Sequence, residues 1–174
     1  MNRRILSSAF AACMAALSPL AMAQTVTVAP TGADYSSVKA AVDSFNTGGT
    51  NFGNAAANVI NIAPGTYLEP APIKLTAGGD WTIRATTGTA TLVVTSPANE
   101  EQGLFSTVDS TAATNLGING SVTIENLTLL PANEPGSGVR ATLAKGFLFE
   151  NGSAAIASSA DVLYVTMRNV LVSA

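Results

Sequence analysis

Carboxylates are the principal groups in this sequence that could carry chemistry, because histidine is absent and the single cysteine, Cys13, lies close to the N-terminus. Without histidine the chain cannot build a Ser-His-Asp triad, a Cys-His pair or a histidine-ligated metal site. The remaining options are acid–base catalysis by carboxylates, Ca²⁺ bound through oxygen ligands, or no catalysis. The sequence indicates no catalytic residue, and we predict no cofactor.

Acidic residues are sparse, and two pairs of them could form a site. Glu100 and Glu101 are adjacent in a polar turn, where exposure to solvent accounts for their charge. A Ca²⁺ site there needs several further oxygen ligands, and no spacing in the sequence supplies them, so we predict no metal. Glu69 and Asp80 flank one stretch of strands and could approach each other, although proximity alone does not define a glycosidase or lyase pair.

Tyr67 and Trp81 are the residues that we predict to bind substrate, by stacking on a sugar ring. Each has a competing structural role. Tyr67 suits a corner that packs against the next layer of strands, and Trp81 suits the core or the edge of a sheet. The two roles differ in exposure, because stacking requires an open ring face.

Residues 1–23 have the pattern of a secretory signal peptide. Arg3 and Arg4 precede an apolar segment over residues 5–20, and the small-x-small sequence before Gln24 predicts cleavage there. We therefore expect a bacterial protein that is secreted, periplasmic or exposed at the cell surface.

Two alternatives to a cleaved signal remain open. A membrane anchor would need about 20 apolar residues, and serines and a proline interrupt this segment. A lipoprotein signal ending at Cys13 would have an unusually short apolar run. We expect no membrane span after cleavage.

The composition of residues 24–174 is that of one acidic domain. Loss of Arg3 and Arg4 with the signal changes the formal net charge from −3 to −5. This charge argues against nucleic-acid binding, and it would repel an anionic polysaccharide unless cations intervene. The domain also lacks cysteine, so packing and backbone hydrogen bonds must stabilise it without disulfides.

One helix is predicted, over about residues 35–45, with Asp34 as its N-cap. Its apolar residues recur at i, i+3, i+4 and i+7 and form one narrow stripe. Pro64 and Gly65 predict a corner after a buried strand, because proline lacks an amide donor and glycine adopts turn conformations. Strand-like runs separated by Gly, Pro, Asn and Asp occupy residues 25–28, 58–62, 73–75, 81–85, 91–95, 104–108, 122–129, 139–143, 147–150 and 162–172.

The strand-like runs repeat. Residues 123–129 match residues 166–172, and markers along the chain are spaced by 20 to 23 residues: Thr82, Gly103, Thr123, Gly146 and Thr166. Several short strands per period predict a parallel β-solenoid with coils of about 20–23 residues. An antiparallel sandwich of the same strands is the alternative.

In such a solenoid, equivalent side chains of successive coils form rows. Asn126 and Asn169 are predicted to share one row, two coils apart. Arg84, Glu125 and Arg168 form the adjacent row, with alternating sign. This row is either a strip that binds anionic sugars or a set of solvated charges on an outer face.

Residues 26–42 and 60–69 resemble the N-terminal end of pectin-lyase-like right-handed parallel β-helix proteins, the pectinesterase family in particular. The resemblance covers about 45 residues well and the remainder loosely. It implies a right-handed parallel β-helix whose N-terminal end is capped by the helix over residues 36–45. The Gln-Asp-Thr-Leu and Asp-Phe-Ile-Phe-Gly motifs that carry catalysis in pectinesterases do not occur here, so no catalytic residue transfers.

The resemblance leads to two hypotheses of function. In the first, residues 24–174 are the N-terminal scaffold of a secreted carbohydrate-active enzyme whose catalytic coils lie outside this chain. In the second, the protein is a non-catalytic β-helix that binds glycans or mediates adhesion. The expected partner is a polysaccharide, or in the second hypothesis a glycan or another binding partner. We also expect the chain to be a fragment or the last coil to pair with another molecule.

Overall fold

The computed structural model of the chain describes residues 23–46, 49, 57–70, 72–75, 79–95, 104–106, 120–131, 147–148 and 163–172. The predicted signal peptide, apart from Ala23, and the predicted strand over residues 139–143 lie outside these ranges. So do Glu100 and Glu101. Within the described ranges, no helix is long and apolar enough to cross a membrane.

The described residues form one helix and twelve strands. The helix, α1, spans Val38–Phe45. The strands are β1 Gln24–Val28, β2 Ala57–Ile62, β3 Gly65–Glu69, β4 Ile73–Lys74, β5 Asp80–Ala85, β6 Ala90–Val94, β7 Phe105–Ser106, β8 Gly120–Glu125, β9 Leu127–Pro131, β10 Phe147–Leu148, β11 Leu163–Arg168 and β12 Leu171–Val172.

The strands form three parallel sheets. The five-stranded sheet has the order β1-β2-β5-β8-β11, the four-stranded sheet β12-β9-β6-β3 and the three-stranded sheet β10-β7-β4. From β2 onwards, consecutive strands therefore enter the three sheets in turn. Every pairing between these strands is parallel, which excludes the antiparallel sandwich for the described part of the chain.

One hydrophobic cluster joins residues of all three sheets and α1. Side chains alternate along each strand, so in β2 and β6 every second residue enters this core. Ile60, Ile83 and Ile124 occupy one register position on β2, β5 and β8, and all three are fully buried. The β-branched residues that predicted the strands therefore also form the packed core between the sheets.

Among the described strands, the predicted repeat of 20 to 23 residues is wrong for most steps. Thr82, Thr123 and Thr166 occupy neighbouring strands of the five-stranded sheet, at separations of 41 and 43 residues. The intermediate markers, Gly103 and Gly146, fall outside the described residues, and the strands that follow them, β7 and β10, belong to the three-stranded sheet. Only the step from β2 to β5, 23 residues, agrees with the predicted period. From β5 to β8 and from β8 to β11, the return to the same sheet takes about two of the predicted periods.

Two predicted long strands are each divided by an asparagine. Asn126 separates β8 from β9, and Asn169 separates β11 from β12, with φ angles of 59° and 52°. This left-handed conformation is open to asparagine at lower cost than to most residues, and it turns the chain from one sheet into the next. Pro64 and Gly65 mark the corresponding corner between β2 and β3, as the sequence predicted.

Helix α1 lies against the first strands of all three sheets, because it contacts β1, β2, β3 and β4. Its apolar stripe, Val38, Ala41, Val42 and Phe45, is fully buried. The predicted N-cap was wrong. Ser37 caps the helix and accepts a hydrogen bond from Ala40 N at 3.0 Å, whereas Asp34 binds Thr27.

Candidate functional site

The candidate site is the outer face of the five-stranded sheet, which we call the outer polar face. It consists of the residues that alternate with the core positions along these strands, and it contains three rows. The first row includes Asp80, Ser121 and Tyr164; the second is Thr25, Val59, Thr82, Thr123 and Thr166; the third is Thr27, Asn61, Arg84, Glu125 and Arg168.

Hydrogen bonds across the strands fix the third row. Arg84 Nε donates to Asn61 Oδ1 at 3.0 Å. Arg168 Nη1 donates to Glu125 Oε1, also at 3.0 Å. In this ion pair the side chain of Arg168 is exposed to solvent. The sequence prediction that Arg84, Glu125 and Arg168 are neighbours of alternating sign is confirmed. These hydrogen bonds hold the donors and acceptors of the third row in place, and the positive and negative charges of the row are largely balanced.

The third row ends at a carboxylate on the loop before α1. Asp34 Oδ2 accepts hydrogen bonds from the backbone N–H and the hydroxyl of Thr27, each at 2.8 Å. These two bonds hold the pKa of Asp34 below its ordinary value, since they favour the charged form. Asp34 thus remains an anionic acceptor at the β1 end of the face.

The turns beside the third row carry an asparagine pair. Asn169 Nδ2 donates to Asn126 Oδ1 at 3.0 Å, and Asn126 Nδ2 donates to Ala85 O at 3.2 Å. The predicted row is confirmed, but the two asparagines lie on neighbouring layers and not two coils apart. These bonds tie the corners of β5, β8 and β11 together.

Two shallow depressions border the third row. Each has a volume of about 320 Å³, and Thr86 lines both. One is bounded by Thr27 and Asn61, and the other by Arg84 and Glu125. The depression beside Arg84 and Glu125 is mainly polar, whereas the one beside Thr27 and Asn61 is lined largely by apolar residues.

The first row contains the exposed aromatic residue of this face. Tyr164 is 67% exposed and lies beside Ser121 on the neighbouring strand. Asp80 Oδ1 accepts bonds from Ser121 N and Ser121 Oγ at 2.8 and 2.9 Å. An open phenol ring beside fixed polar groups can contact the apolar face of a sugar and its hydroxyls together.

The two aromatic residues that the sequence predicted as ligands belong to the core. Trp81 is fully buried and packs edge to face on Phe45, with ring centroids 5.7 Å apart. Tyr67 is also buried, and its hydroxyl donates to Ala63 O at 2.8 Å. Neither ring has an open face for a sugar, so the competing structural roles describe both residues.

Sequence reasoning missed Tyr164, although a signal for it was present. In β11 the apolar residues Val165 and Met167 share register with the buried Val122 and Ile124. Period-two alternation then places Tyr164 on the opposite side of the strand from these core positions. The prediction of one strand over residues 162–172 did not distinguish the two sides of that strand.

Glu69 and Asp80 do not form an acid–base pair in the structure, because each binds a different group. Glu69 is buried, and its carboxylate accepts hydrogen bonds from Val38 N at 2.6 Å and Lys39 N at 3.0 Å. Burial raises the pKa of Glu69, while these two bonds and the charge of Lys39 act against the increase. Burial, with a smaller effect of Glu69, also raises the pKa of Tyr67.

The described residues contain no group of three acidic, histidine or cysteine side chains that could hold a metal ion. Glu69 instead satisfies the first two amide donors of α1, and Ser37 satisfies the third. Its arrangement is that of a structural connection between β3 and the helix.

Comparison with protein-family models, with curated proteins and with solved structures finds no match to this chain.

Proposed function

We propose that the three sheets are the faces of a right-handed parallel β-helix and that α1 caps its N-terminal end. The entry of consecutive strands into three sheets in turn supports this architecture. The contact of α1 with the first strand of each sheet supports the cap. On this basis, the chain is the N-terminal scaffold portion of a secreted, pectin-lyase-like protein related to the pectinesterases.

We propose that this scaffold carries no catalytic site. Any catalytic coils of a carbohydrate-active enzyme then lie outside this chain. The separate structural partners of Glu69 and Asp80 support a non-catalytic role. The direct role of the scaffold is then to provide a surface that binds a polysaccharide.

Glycan binding by the outer polar face is favoured by one observation, the exposed ring of Tyr164 beside rows of threonine hydroxyls and paired charges. Strands in a sheet lie about 4.8 Å apart, so a row repeats at intervals close to the length of one pyranose unit. An extended polysaccharide can therefore meet equivalent groups on successive strands.

The preferred ligand is an uncharged polysaccharide. Arg168 is paired with Glu125, whereas Arg84 donates to the neutral amide of Asn61, so the described residues of the face present one arginine without an ion pair to another described residue and no cluster of positive charge. The formal net charge of the chain is also negative. Both features disfavour a polyanion such as polygalacturonate.

Binding can be measured by affinity electrophoresis and calorimetry with soluble neutral polysaccharides and with polygalacturonate, with and without Ca²⁺. We expect the purified protein to bind a neutral polysaccharide and Tyr164→Ala to weaken binding at least about fivefold, which is the loss of about 1 kcal/mol. We also expect no esterase or lyase turnover.

Leu68→Ala is the matched control, because Leu68 is 68% exposed but lies on the four-stranded sheet. Equal losses for the Tyr164 and Leu68 variants would contradict binding at the outer polar face. Turnover of a pectic substrate would contradict the non-catalytic role.

A further inference from the structure

Two neighbouring side chains of opposite charge on the outer polar face turn away from each other. Arg84 on β5 and Glu125 on β8 occupy one register position in the third row. Neighbouring strands lie about 4.8 Å apart, so opposite charges at one register position are close enough to pair. Arg84 instead donates to Asn61 on β2, and Glu125 pairs with Arg168 on β11. The guanidinium and the carboxylate are therefore held towards opposite edges of the sheet.

The space between these two side chains is the mainly polar depression beside the third row. Its volume is about 320 Å³, and its lining consists of Arg84, Ala85, Thr86, Glu125 and Asn126. A volume of this size lies at the lower end of the range for small-molecule sites. Hydrogen bonds to neighbouring strands and turns hold Arg84, Glu125 and Asn126 in place. The walls of the depression are thus positioned before a ligand arrives, which lowers the cost of binding.

Both charged walls keep hydrogen-bonding groups for a ligand. The guanidinium of Arg84 uses its Nε–H on Asn61, and its Nη groups have no partner among the described residues. Glu125 accepts from Arg168 through Oε1, which leaves Oε2 as an acceptor. One wall of the depression therefore offers donors and the opposite wall offers an acceptor.

A donor and an acceptor on opposite walls of a small depression suit two adjacent hydroxyls of one sugar. The oxygen of one hydroxyl accepts from an Nη–H of Arg84, and the next hydroxyl donates to Oε2 of Glu125. Hydrogen bonds with one charged partner are stronger than those between neutral groups. An anionic sugar fits less well, because its carboxylate would lie close to the carboxylate of Glu125.

We propose that the depression between Arg84 and Glu125 is a subsite for a neutral sugar that carries two adjacent free hydroxyls. This inference rests on the glycan binding proposed for the outer polar face, and it adds the chemical group that is recognised. Tyr164 belongs to the first row, which lies four residues, or about 13 Å, along the strand from the third row. Tyr164 and the subsite therefore contact different sugar units of one polysaccharide.

Two soluble neutral polysaccharides distinguish recognition of adjacent hydroxyls from general sugar binding. The backbone sugars of galactomannan carry adjacent free hydroxyls, whereas the linkage through the third carbon in laminarin separates the free hydroxyls of its backbone sugars. We expect the full chain to bind galactomannan at least about tenfold more tightly than laminarin in calorimetry, because only galactomannan can bind both walls. Equal affinities would overturn the subsite.

Arg84→Gln and Glu125→Gln test the two walls separately. Each should weaken galactomannan binding at least about fivefold and leave laminarin binding nearly unchanged, since each removes one charge-assisted hydrogen bond to the adjacent hydroxyls. The double variant should lose less than the product of the two single losses, because both walls hold the same sugar. Independent losses that multiply would contradict binding of one sugar by both walls.

Lys39→Gln and Asp43→Asn are the matched controls. They remove the same two charges from an ion pair on α1, away from the outer polar face. Both affinities should stay as in the wild type, and circular dichroism checks that all variants keep their strands. A loss for these controls equal to that for Arg84→Gln and Glu125→Gln would assign the effect to net charge and overturn the subsite.

The outcomes also separate this subsite from the function on which it rests. A wild-type chain that binds neither polysaccharide would contradict both proposals. If Tyr164→Ala weakens galactomannan binding while Arg84→Gln and Glu125→Gln do not, the outer polar face binds glycans and the subsite is wrong. Equal losses for galactomannan and laminarin in the Arg84 and Glu125 variants would also overturn the recognition of adjacent hydroxyls.

Discussion

Glu69 shows how a single buried carboxylate can connect two elements. It lies at the end of β3, and it accepts the amide hydrogens of Val38 and Lys39 at the start of α1. Glu69→Ala leaves two helix donors without a partner in the protein interior. We expect the free energy of unfolding to fall by about 3 kcal/mol, measured by urea denaturation.

Asp34→Ala is the comparison for this substitution. Asp34 is the residue whose position in the sequence suggested a helix cap, but it is exposed and binds Thr27. Its loss should cost clearly less than the loss of Glu69. A similar cost for both variants would mean that Glu69 does not stabilise the docking of α1.

At the level of elements, the turns at Asn126 and Asn169 decide where one strand ends and the next begins. Asn126 combines a left-handed backbone with hydrogen bonds to Ala85 and Asn169. Asn126→Ala loses both side-chain bonds and strains the backbone by about 1–2 kcal/mol, whereas Asn126→Gly loses the bonds without that strain. Thermal and urea unfolding should therefore rank the proteins as wild type, then Gly, then Ala. An alanine variant as stable as the glycine variant would show that the left-handed conformation is not required.

For the whole molecule, Glu69 and Asp34 give stability opposite dependences on pH. The pKa of Glu69 is raised above its ordinary value of 4.5 by burial, with Asp43 adding to the increase and Lys39 opposing it. Its contribution to stability is complete below the pKa of the unfolded chain and is lost as the pH rises through the folded pKa. The pKa of Asp34 is lowered from 3.8, so its contribution is present above the unfolded pKa and is lost as the pH falls through the folded pKa.

Glu69→Gln isolates the first of these effects. Glutamine is nearly isosteric and does not ionise, so the stability of the wild type relative to this variant should decrease as the pH rises from about 4 to about 8. Urea midpoints across this range measure the difference. A difference that stays constant with pH would contradict the raised pKa of Glu69.

Features that depend on local pattern could be predicted from the sequence. The apolar spacing of α1 and the β-branched runs of the strands identified the elements, because each residue's partners in these patterns are near it in the chain. Matching stretches around Asn126 and Asn169 also placed Arg84, Glu125 and Arg168 in one row, since equivalent positions of repeated strands stack in register.

The neighbours of each strand and the exposure of each side chain depend on contacts between residues that are far apart in the chain. Consecutive strands enter three different sheets before the chain returns to the first one. The connections between these strands differ in length, so the spacing of similar residues along the sequence did not reveal this order. The same packing buries Trp81 and Tyr67, exposes Tyr164, and brings Glu69 to α1. Exposure and long-range hydrogen bonds depend on which strands pack against each residue. These strands are distant in the sequence, so local sequence pattern does not identify them.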